Sequence, residues 1–542
     1  MTGGTTVYAA FQQAARTHGA RPFLNVLPET AEVYRIAAGE ITYAAMAAAV
    51  EKQILAFNAA GIGSGHRVGI LVENRPVFFQ HWFALNALGA SVVPINPDLR
   101  LGELEYLIGH SEMIAAIVIP ARQAEIAAAA KAAGRAVQVT SPTGALARVP
   151  AAEVTPAASG RDTECALLYT SGTTGQPKGC VLTNTYYLNS GEWYCAAGGL
   201  MAQRTGLERM LTPLPLFHMN AMATSAMAMV MSGGCLTVLD RFHPRTWWNS
   251  VQASRATIIH YLGVMPTMLM NAPESPGDRT HSVTFGFGAG VDRQLHAPFE
   301  KRFGFPLIEA WAMTETGGGV VVAAKQEPRK TGISCFGRPD STTEFRIVLD
   351  DGSEAAAGEP GELLVRRAGP DPRHGFFQEY LKDASATAEA WAGGWFHTGD
   401  LVRRDEDGDL YFVDRKKNVI RRSGENISAV EVESVLLRHA AVAAVAIAAI
   451  PDPLRGDEVF ACVVPVEKPA DGAARAALAG LIVKHSLDNL AYYKAPGFVA
   501  FVDSLPLTST QKIQRGALRT LVAEQAARAE TVDTRAMKKR TA

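Results

Sequence analysis

The sequence predicts a layered α/β protein: a large amino-terminal domain of α/β subdomains ending in a β-rich subdomain, then a small carboxyl-terminal α+β domain. Three observations carry this. Short apolar strands and amphipathic helices alternate through the first third of the chain. After Thr331 the pattern changes to short strands broken by turn residues, and from about Lys416 a compact α+β alternation returns. The length, 542 residues, also exceeds what one hydrophobic core usually supports.

The elements follow in order. Val68-Gly-Ile-Leu-Val reads as a buried strand, Pro76 to Leu88 as a helix, and Ala90-Ser-Val-Val-Pro-Ile and Ala115-Ala-Ile-Val-Ile as further strands. An Ala-rich helix follows around Ala121 to Ala133, and the Pro/Ala/Ser/Gly-rich stretch from Ser141 to Thr163 reads as a surface connection. In the β-rich region, Thr343-Glu-Phe-Arg-Ile-Val-Leu closes at Asp350-Asp-Gly, and Gly361-Glu-Leu-Leu-Val-Arg reads as another strand. The last part predicts a helix near Ala429 to Leu437, strands near Ala443 and from Val459 to Val466, and a helix near Ala474 to Leu490. Ala526 to Ala542, polar and poor in apolar residues, reads as a frayed tail.

Composition narrows the function classes. The formal net charge is -1, which argues against a polyanion-binding surface and a nucleic-acid partner. Cys165, Cys180, Cys195, Cys235, Cys335 and Cys462 form no C-x-x-C pair, which fits reduced thiols in a cytoplasmic protein. The most apolar window, Ala440 to Ile450, is too short to cross a bilayer and reads as a buried strand, and the amino terminus lacks a signal-peptide pattern. No membrane partner is expected, and a homodimer is the default oligomer.

The most informative segment is Leu167-Leu-Tyr-Thr-Ser-Gly-Thr-Thr-Gly-Gln-Pro-Lys-Gly179, an apolar strand running into a loop of Gly, Ser and Thr around one lysine. Thr170, Ser171, Gly172, Thr173, Thr174 and Gly175 offer hydroxyls and bare N–H groups to a polyanion, and Lys178 offers charge. Pro177 before the lysine excludes a Walker loop. A generic cluster of this composition is a surface turn; this one resembles, residue for residue, the Ser-Gly-Thr-Thr-Gly-x-Pro-Lys-Gly signature of the adenylate-forming superfamily of acyl-CoA synthetases, luciferases and peptide-synthetase adenylation domains.

That resemblance extends from about Thr42 to Ile513 and implies roles elsewhere. Ala310-Trp-Ala-Met-Thr-Glu-Thr316 resembles the family's Tyr-Gly-Met-Thr-Glu element, making Thr314 an α-phosphate contact and Glu315 the magnesium ligand. Trp311 departs from the usual Tyr and places a bulky aromatic beside adenine or the acyl pocket. His397-Thr-Gly-Asp400 resembles the element whose aspartate takes the ribose hydroxyls, and Arg415 matches the ribose arginine, returned to the same nucleotide by a hairpin through Asp405 to Val413. Taken singly, Asp400 belongs to a turn and Arg415 to a solvated surface.

Phe285-Gly-Phe-Gly-Ala-Gly290 lies where the family sets backbone against adenine, implicating Gly288 and Ala289, and Pro213-Leu-Pro-Leu-Phe-His-Met-Asn220 places His218 at the junction of acyl carboxylate and thiol. An acyl pocket lined near His218 to Met222, Tyr261 to Pro266, Phe285 to Gly290 and Trp311 would be short or flat if Trp311, Phe287 and Met222 all point inward.

In the last domain, Lys512 resembles the lysine that bridges carboxylate and α-phosphate, with Gln511 in place of the common Gly. Gly424, in Gly-Glu-Asn-Ile, resembles the glycine bordering the pantetheine tunnel, and Lys417 matches the pivot. Lys512 and Gly424 serve one site at different times, so the small domain is expected to be mobile, with domains at 1–415 and 416–542.

The resemblance implies an acid–thiol ligase of the crotonobetaine/carnitine–CoA ligase type, using ATP, Mg2+ and coenzyme A on a small-molecule carboxylic acid. A stand-alone ligase loading a carrier-protein thiol is the alternative enzyme, and a non-catalytic nucleotide-binding regulator the alternative from another class.

Overall fold

The computed structural model describes residues 5–150, 159–170, 176–415, 419–506 and 513–540, with the side chains of Val264, Asp414, Arg415, Val419 and Arg515 excepted. The chain divides into two compact units. The larger comprises Met1–Pro97, Ile108–Leu168 and Gly179–Asp414; the smaller comprises Asp98–Leu107, Tyr169–Lys178 and Arg415–Ala542.

The α/β alternation is as expected. Arg67–Leu71, Ser91–Pro94 and Ala115–Val118 pair in parallel, the helix Val77–Ala87 lies between the first two in sequence, and the helix Gln123–Ala132 follows the third. Parallel strands bury both faces, which is why these segments read as unbroken apolar runs. They belong to a sheet with the order Glu379–Tyr380, Lys178–Thr183, Glu164–Thr170, Ser91–Pro94, Arg67–Leu71, Ala115–Val118 and Gln138–Thr140.

A second sheet runs from Val322–Ala323 through Leu307–Trp311, Phe285–Ala289, Ile258–Leu262, Arg209–Thr212, Cys235–Val238 and Pro22–Val26 to Gly39–Thr42. Helices between the sheets carry aromatic residues that are fully or almost fully buried. Phe11 stacks on Phe83 at 4.4 Å between centroids, and Trp82 meets Tyr187 edge-on at 5.2 Å. Each such side chain contributes about 1.5–3 kcal/mol relative to exposure, so this layer anchors the loops at the strand ends.

The β-rich region is an antiparallel sheet in the order Cys335–Gly337, Leu410–Arg415, Phe396–Arg404, Gly361–Arg367 and Thr343–Val348. The neighbours Phe396–Arg404 and Leu410–Arg415 are the two arms of the expected hairpin.

In the smaller unit, Val442–Asp452 and Gly456–Pro465 form a long antiparallel pair, flanked by the helices Ala429–Leu436 and Gly472–Asn489. Both helices are capped: Ser428 Oγ accepts from the Glu431 N–H and Asp471 from the Ala474 N–H.

The tail departs from the sequence reading. Val532–Asp533 pairs with Phe498–Phe501, the Thr534 N–H donates to the Gly497 carbonyl, and buried Lys538 donates to Glu458. Glu458 is 0% exposed and accepts from Arg422 Nε at 2.9 Å on both oxygens. Burial raises its carboxyl pKa, but the Lys538 and Arg422 charges outweigh that and hold it below the ordinary range. A buried carboxylate needs cations, and the polar tail supplies one.

Among the described residues, no helix is long and apolar enough to cross a membrane. The six cysteines are free thiols.

Candidate active site

The larger unit carries several of the expected site residues at or just beyond the ends of its strands. Leu307–Trp311 leads into a turn that carries Thr314, half-buried, and Glu315, which is buried. The Glu315 carboxylate accepts from the Tyr380 hydroxyl at 2.9 Å, and its carbonyl accepts from the Phe377 N–H at 2.9 Å. Tyr380 reaches it because Glu379–Tyr380 pairs antiparallel with the strand through Cys180 and Val181. Burial first, then the Glu315 charge, pushes the Tyr380 phenol far above its ordinary pKa, so it stays a neutral donor. Sequence reasoning missed Tyr380.

Asp400 lies on Phe396–Arg404, 1% exposed. Its N–H donates to Thr398 Oγ1, which itself donates to the Leu363 carbonyl at 2.7 Å, so the strand fixes the carboxylate's base. The indole N–H of Trp311 donates to Asp400 Oδ2 at 2.9 Å, and the Trp311 ring stacks on Phe336. Beyond the aromatic bulk expected of it, Trp311 has a second contact: its ring is buried and its polar edge meets the carboxylate expected to take the ribose hydroxyls. Met222 is fully buried near the Tyr187 hydroxyl, and Phe287 packs on Tyr194 and His260.

Gly288 sits in Phe285–Ala289 between Tyr261 and Glu309. A Cβ there would come within 2.2 Å of the Tyr261 carbonyl, so only glycine lets the strands close at this point. Ala289, half-buried, ends the strand, and the next two N–H groups, of Gly290 and Val291, donate to buried Glu309 at 3.0 and 2.7 Å.

His218 is half-buried on the loop after Arg209–Thr212. That loop is clamped from another layer: Asn74 donates to the carbonyls of Leu214 and Leu239 and accepts from the Leu216 N–H. Past His218, a π-helix spans Asn220–Ser225. Behind it, His260 is fully buried, and burial pulls its pKa down to about 3. Neither Asn74 nor His260 carries a sequence signal.

The smaller unit holds the other expected residues. Thr170 closes the strand Glu164–Thr170 and Lys178 opens Lys178–Thr183; Ser171, Gly172, Thr173, Thr174 and Gly175 lie outside the described residues. The carbonyl of Pro177, just before Lys178, accepts from the Tyr106 hydroxyl at 2.8 Å. Arg415 ends the strand Leu410–Arg415, its side chain outside the described set, as are Lys417 and Lys512. Gly424, with φ +92°, follows Ser423 at +51° in a two-residue hairpin turn between Val419–Arg422 and Glu425–Ser428. Positive φ at both positions is the geometry that favours glycine.

Comparison with known proteins places this architecture. The family model for AMP-binding enzymes matches residues 11–380, and the AMP-binding enzyme C-terminal domain matches 431–512. The feruloyl-CoA synthase of an Amycolatopsis species is 33% identical over 494 residues, covering 88% of this chain and 93% of that protein. The crotonobetaine/carnitine–CoA ligase of Salmonella paratyphi A is 30% identical over 492 residues, covering 88% and 92%. Among solved structures, a double mutant of the o-succinylbenzoate CoA synthetase of Bacillus subtilis, bound with its product analogue, matches with a TM-score of 0.79. It is 25% identical, covering 94% of this chain and 98% of that one.

Proposed function

The chain belongs to the AMP-binding enzyme family, and from that premise we infer that it is an AMP-forming acid–CoA ligase. A substrate carboxylate attacks the α-phosphorus of ATP and pyrophosphate leaves; the thiol of coenzyme A then attacks the acyl carbon and AMP leaves. The adenylate replaces a poor leaving group with a good one.

Glu315 carries the reading of the first step. It is a buried carboxylate beside Thr314, and among the described residues its side-chain partner is the neutral Tyr380 hydroxyl. A single hard oxygen donor fits Mg2+, which keeps most of its coordination for phosphate and water; bound there, the ion would neutralise triphosphate charge. Thr314 is proposed to meet the α-phosphate and Asp400, oriented by Trp311, to accept the ribose hydroxyls. His218, on its clamped loop, is proposed to stand where the acyl carboxylate and the thiol meet.

Thr170 to Gly175 with Lys178 are proposed to cradle the phosphates, Arg415 to reach the ribose, and Gly288 and Ala289 to face adenine. The proposed domains are 1–415 and 416–542, the second presenting Lys512 for adenylation and Gly424 for thioester formation. Replacing Lys512 with Ala should slow adenylate formation by several orders of magnitude while sparing thioester formation from a supplied adenylate, because its charge stabilises only the first transition state. Equal losses in the two half-reactions, measured separately, would remove the two-posture model. A cytoplasmic setting is part of the proposal and is supported by six free cysteines.

The test of the whole reading is a panel of short, branched, aromatic and functionalised acids with ATP, magnesium and coenzyme A, scored for acyl-CoA, AMP and pyrophosphate. Acid-dependent release of all three supports it. Adenylate without thioester replaces coenzyme A by a carrier-protein thiol, and ATP bound without turnover across the panel makes the protein a nucleotide sensor.

A further inference from the structure

The hairpin turn that carries Gly424 is held from the carboxyl-terminal tail. Val419–Arg422 and Glu425–Ser428 pair with Arg422 opposite Glu425, which leaves Ser423 and Gly424 as the turn. Glycine adopts a φ of +92° freely. Ser423, at +51°, does not, and a residue with a side chain persists there only where its surroundings over-determine it. The Ser423 hydroxyl is buried and has no hydrogen-bond partner among the described residues, so the anchors seen are its backbone N–H and its neighbour Arg422.

Two routes lead from the tail to these two residues, both within the smaller unit. In the first, Lys538 donates to Glu458, which takes the Arg422 Nε–H on both oxygens at 2.9 Å; all three side chains are buried. The tail docks against the backbone that covers this acid. Thr534 Oγ1 donates to the Pro496 carbonyl at 2.8 Å and the Thr534 N–H to the Gly497 carbonyl, and a Cβ on Gly497 would sit 2.5 Å from the Glu458 carboxyl carbon. In the second, Arg535 donates to Asp452 Oδ2 at 3.4 Å, and Asp452 Oδ1 accepts the Leu454 and Arg455 N–H groups, each at 2.9 Å. The Arg455 carbonyl, in the turn so folded, accepts the Ser423 N–H at 2.9 Å.

Two cations of one short segment thus converge, through separate acids, on the two residues just ahead of Gly424. We propose that Lys538 and Arg535 are positioning residues for the thioester half-reaction, fixing the turn that presents Gly424 to the thiol of coenzyme A. This rests on the ligase reading above, in which Gly424 serves that step. Placement is what such a turn supplies, and a shift of about 1 Å at a reacting site costs up to about a hundredfold.

The experiment uses the full chain and separates the half-reactions: single-turnover pyrophosphate release without coenzyme A, and thioester formation from supplied adenylate as coenzyme A is varied. Lys538→Met keeps the stem and leaves Glu458 to Arg422. It should raise KM for coenzyme A about tenfold, with kcat for that step nearly unchanged and with pyrophosphate release and melting temperature at wild-type values. Arg535→Ala, at a half-exposed side chain, should raise the same KM about twofold to threefold, and it alone decides the matter should Lys538→Met not fold. Hydrogen exchange across residues 419–428 should quicken in the same order while the helix Gly472–Asn489 keeps its protection. Equal losses in both half-reactions with a lower melting temperature would make the tail merely structural and overturn the assignment. A KM for coenzyme A that stays at the wild-type value in both variants overturns it too, whether or not exchange at 419–428 quickens, and leaves the ligase reading intact. Absence of pyrophosphate release with every acid overturns the ligase reading and this assignment with it.

Discussion

Each unit buries a glutamate, and the two are held in opposite ways. Glu458 of the smaller unit accepts from Arg422 on both oxygens and from Lys538, and the smaller unit closes around it. Glu315 of the larger unit is 7% exposed and, among the described residues, receives only the neutral hydroxyl of Tyr380 on its side chain. Burying a carboxylate is costly in both places. With cations beside it, its charge is committed to the fold; held by a neutral donor, the charge stays available for a ligand.

The comparison is most sharply tested by Glu315→Gln. Pyrophosphate release should fall by about a hundredfold to a thousandfold, as for loss of a group aimed at transition-state charge, with thermal stability unchanged or slightly raised. A melting temperature that falls with the activity would make Glu315 structural and break the contrast. Glu458→Gln should do the reverse, destabilising the smaller unit by about 3–5 kcal/mol by leaving the Arg422 cation buried without its carboxylate, while Lys538, whose pKa burial already pulls down to about 7, loses the charge that holds its proton. Urea unfolding followed by hydrogen exchange in Val442–Asp452 and Gly456–Pro465 reads this directly, and protection equal to wild type would refute it.

A smaller effect is expected at Trp311→Phe, which keeps the ring but removes the indole donor to Asp400. KM for ATP should rise about tenfold with kcat nearly unchanged; an unchanged KM would mean that Asp400 does not rely on this bond. The smallest effect concerns a third, structural glutamate. Burial raises the Glu300 carboxyl, but hydrogen bonds from Arg329 and His296 outweigh it and hold its pKa at about 2, against 4.5 unperturbed. Because the folded value is depressed, its contribution is fully present above pH 4.5 and is lost as pH falls through 2. Glu300→Gln should flatten the acid limb of a stability profile in that window only; an unchanged limb would count against the pairing.

The candidate site residues could be named from the sequence because they occur in runs. Thr314 and Glu315 are adjacent in a recognisable element, Thr170 to Lys178 form one loop, and His397 to Asp400 end in the expected carboxylate. Their partners were illegible. Tyr380 lies 65 positions from Glu315, Asn74 lies 142 from Leu216, and His260 lies 40 from Asn220. Trp311 was read by its size alone, whereas its N–H also meets a carboxylate 89 positions away. The tail was misread because polar composition signals solvent until a buried acid requires a cation.

By itself the sequence determined the alternation of strands and helices, the β-rich insertion, the compact last region and the family, since hydrophobic period, turn residues and signature loops are local properties. The tertiary structure decided which buried carboxylates meet cations and which meet neutral donors. Burial and hydrogen-bond pairing depend on groups that approach only when distant strands are aligned, and no local pattern encodes them.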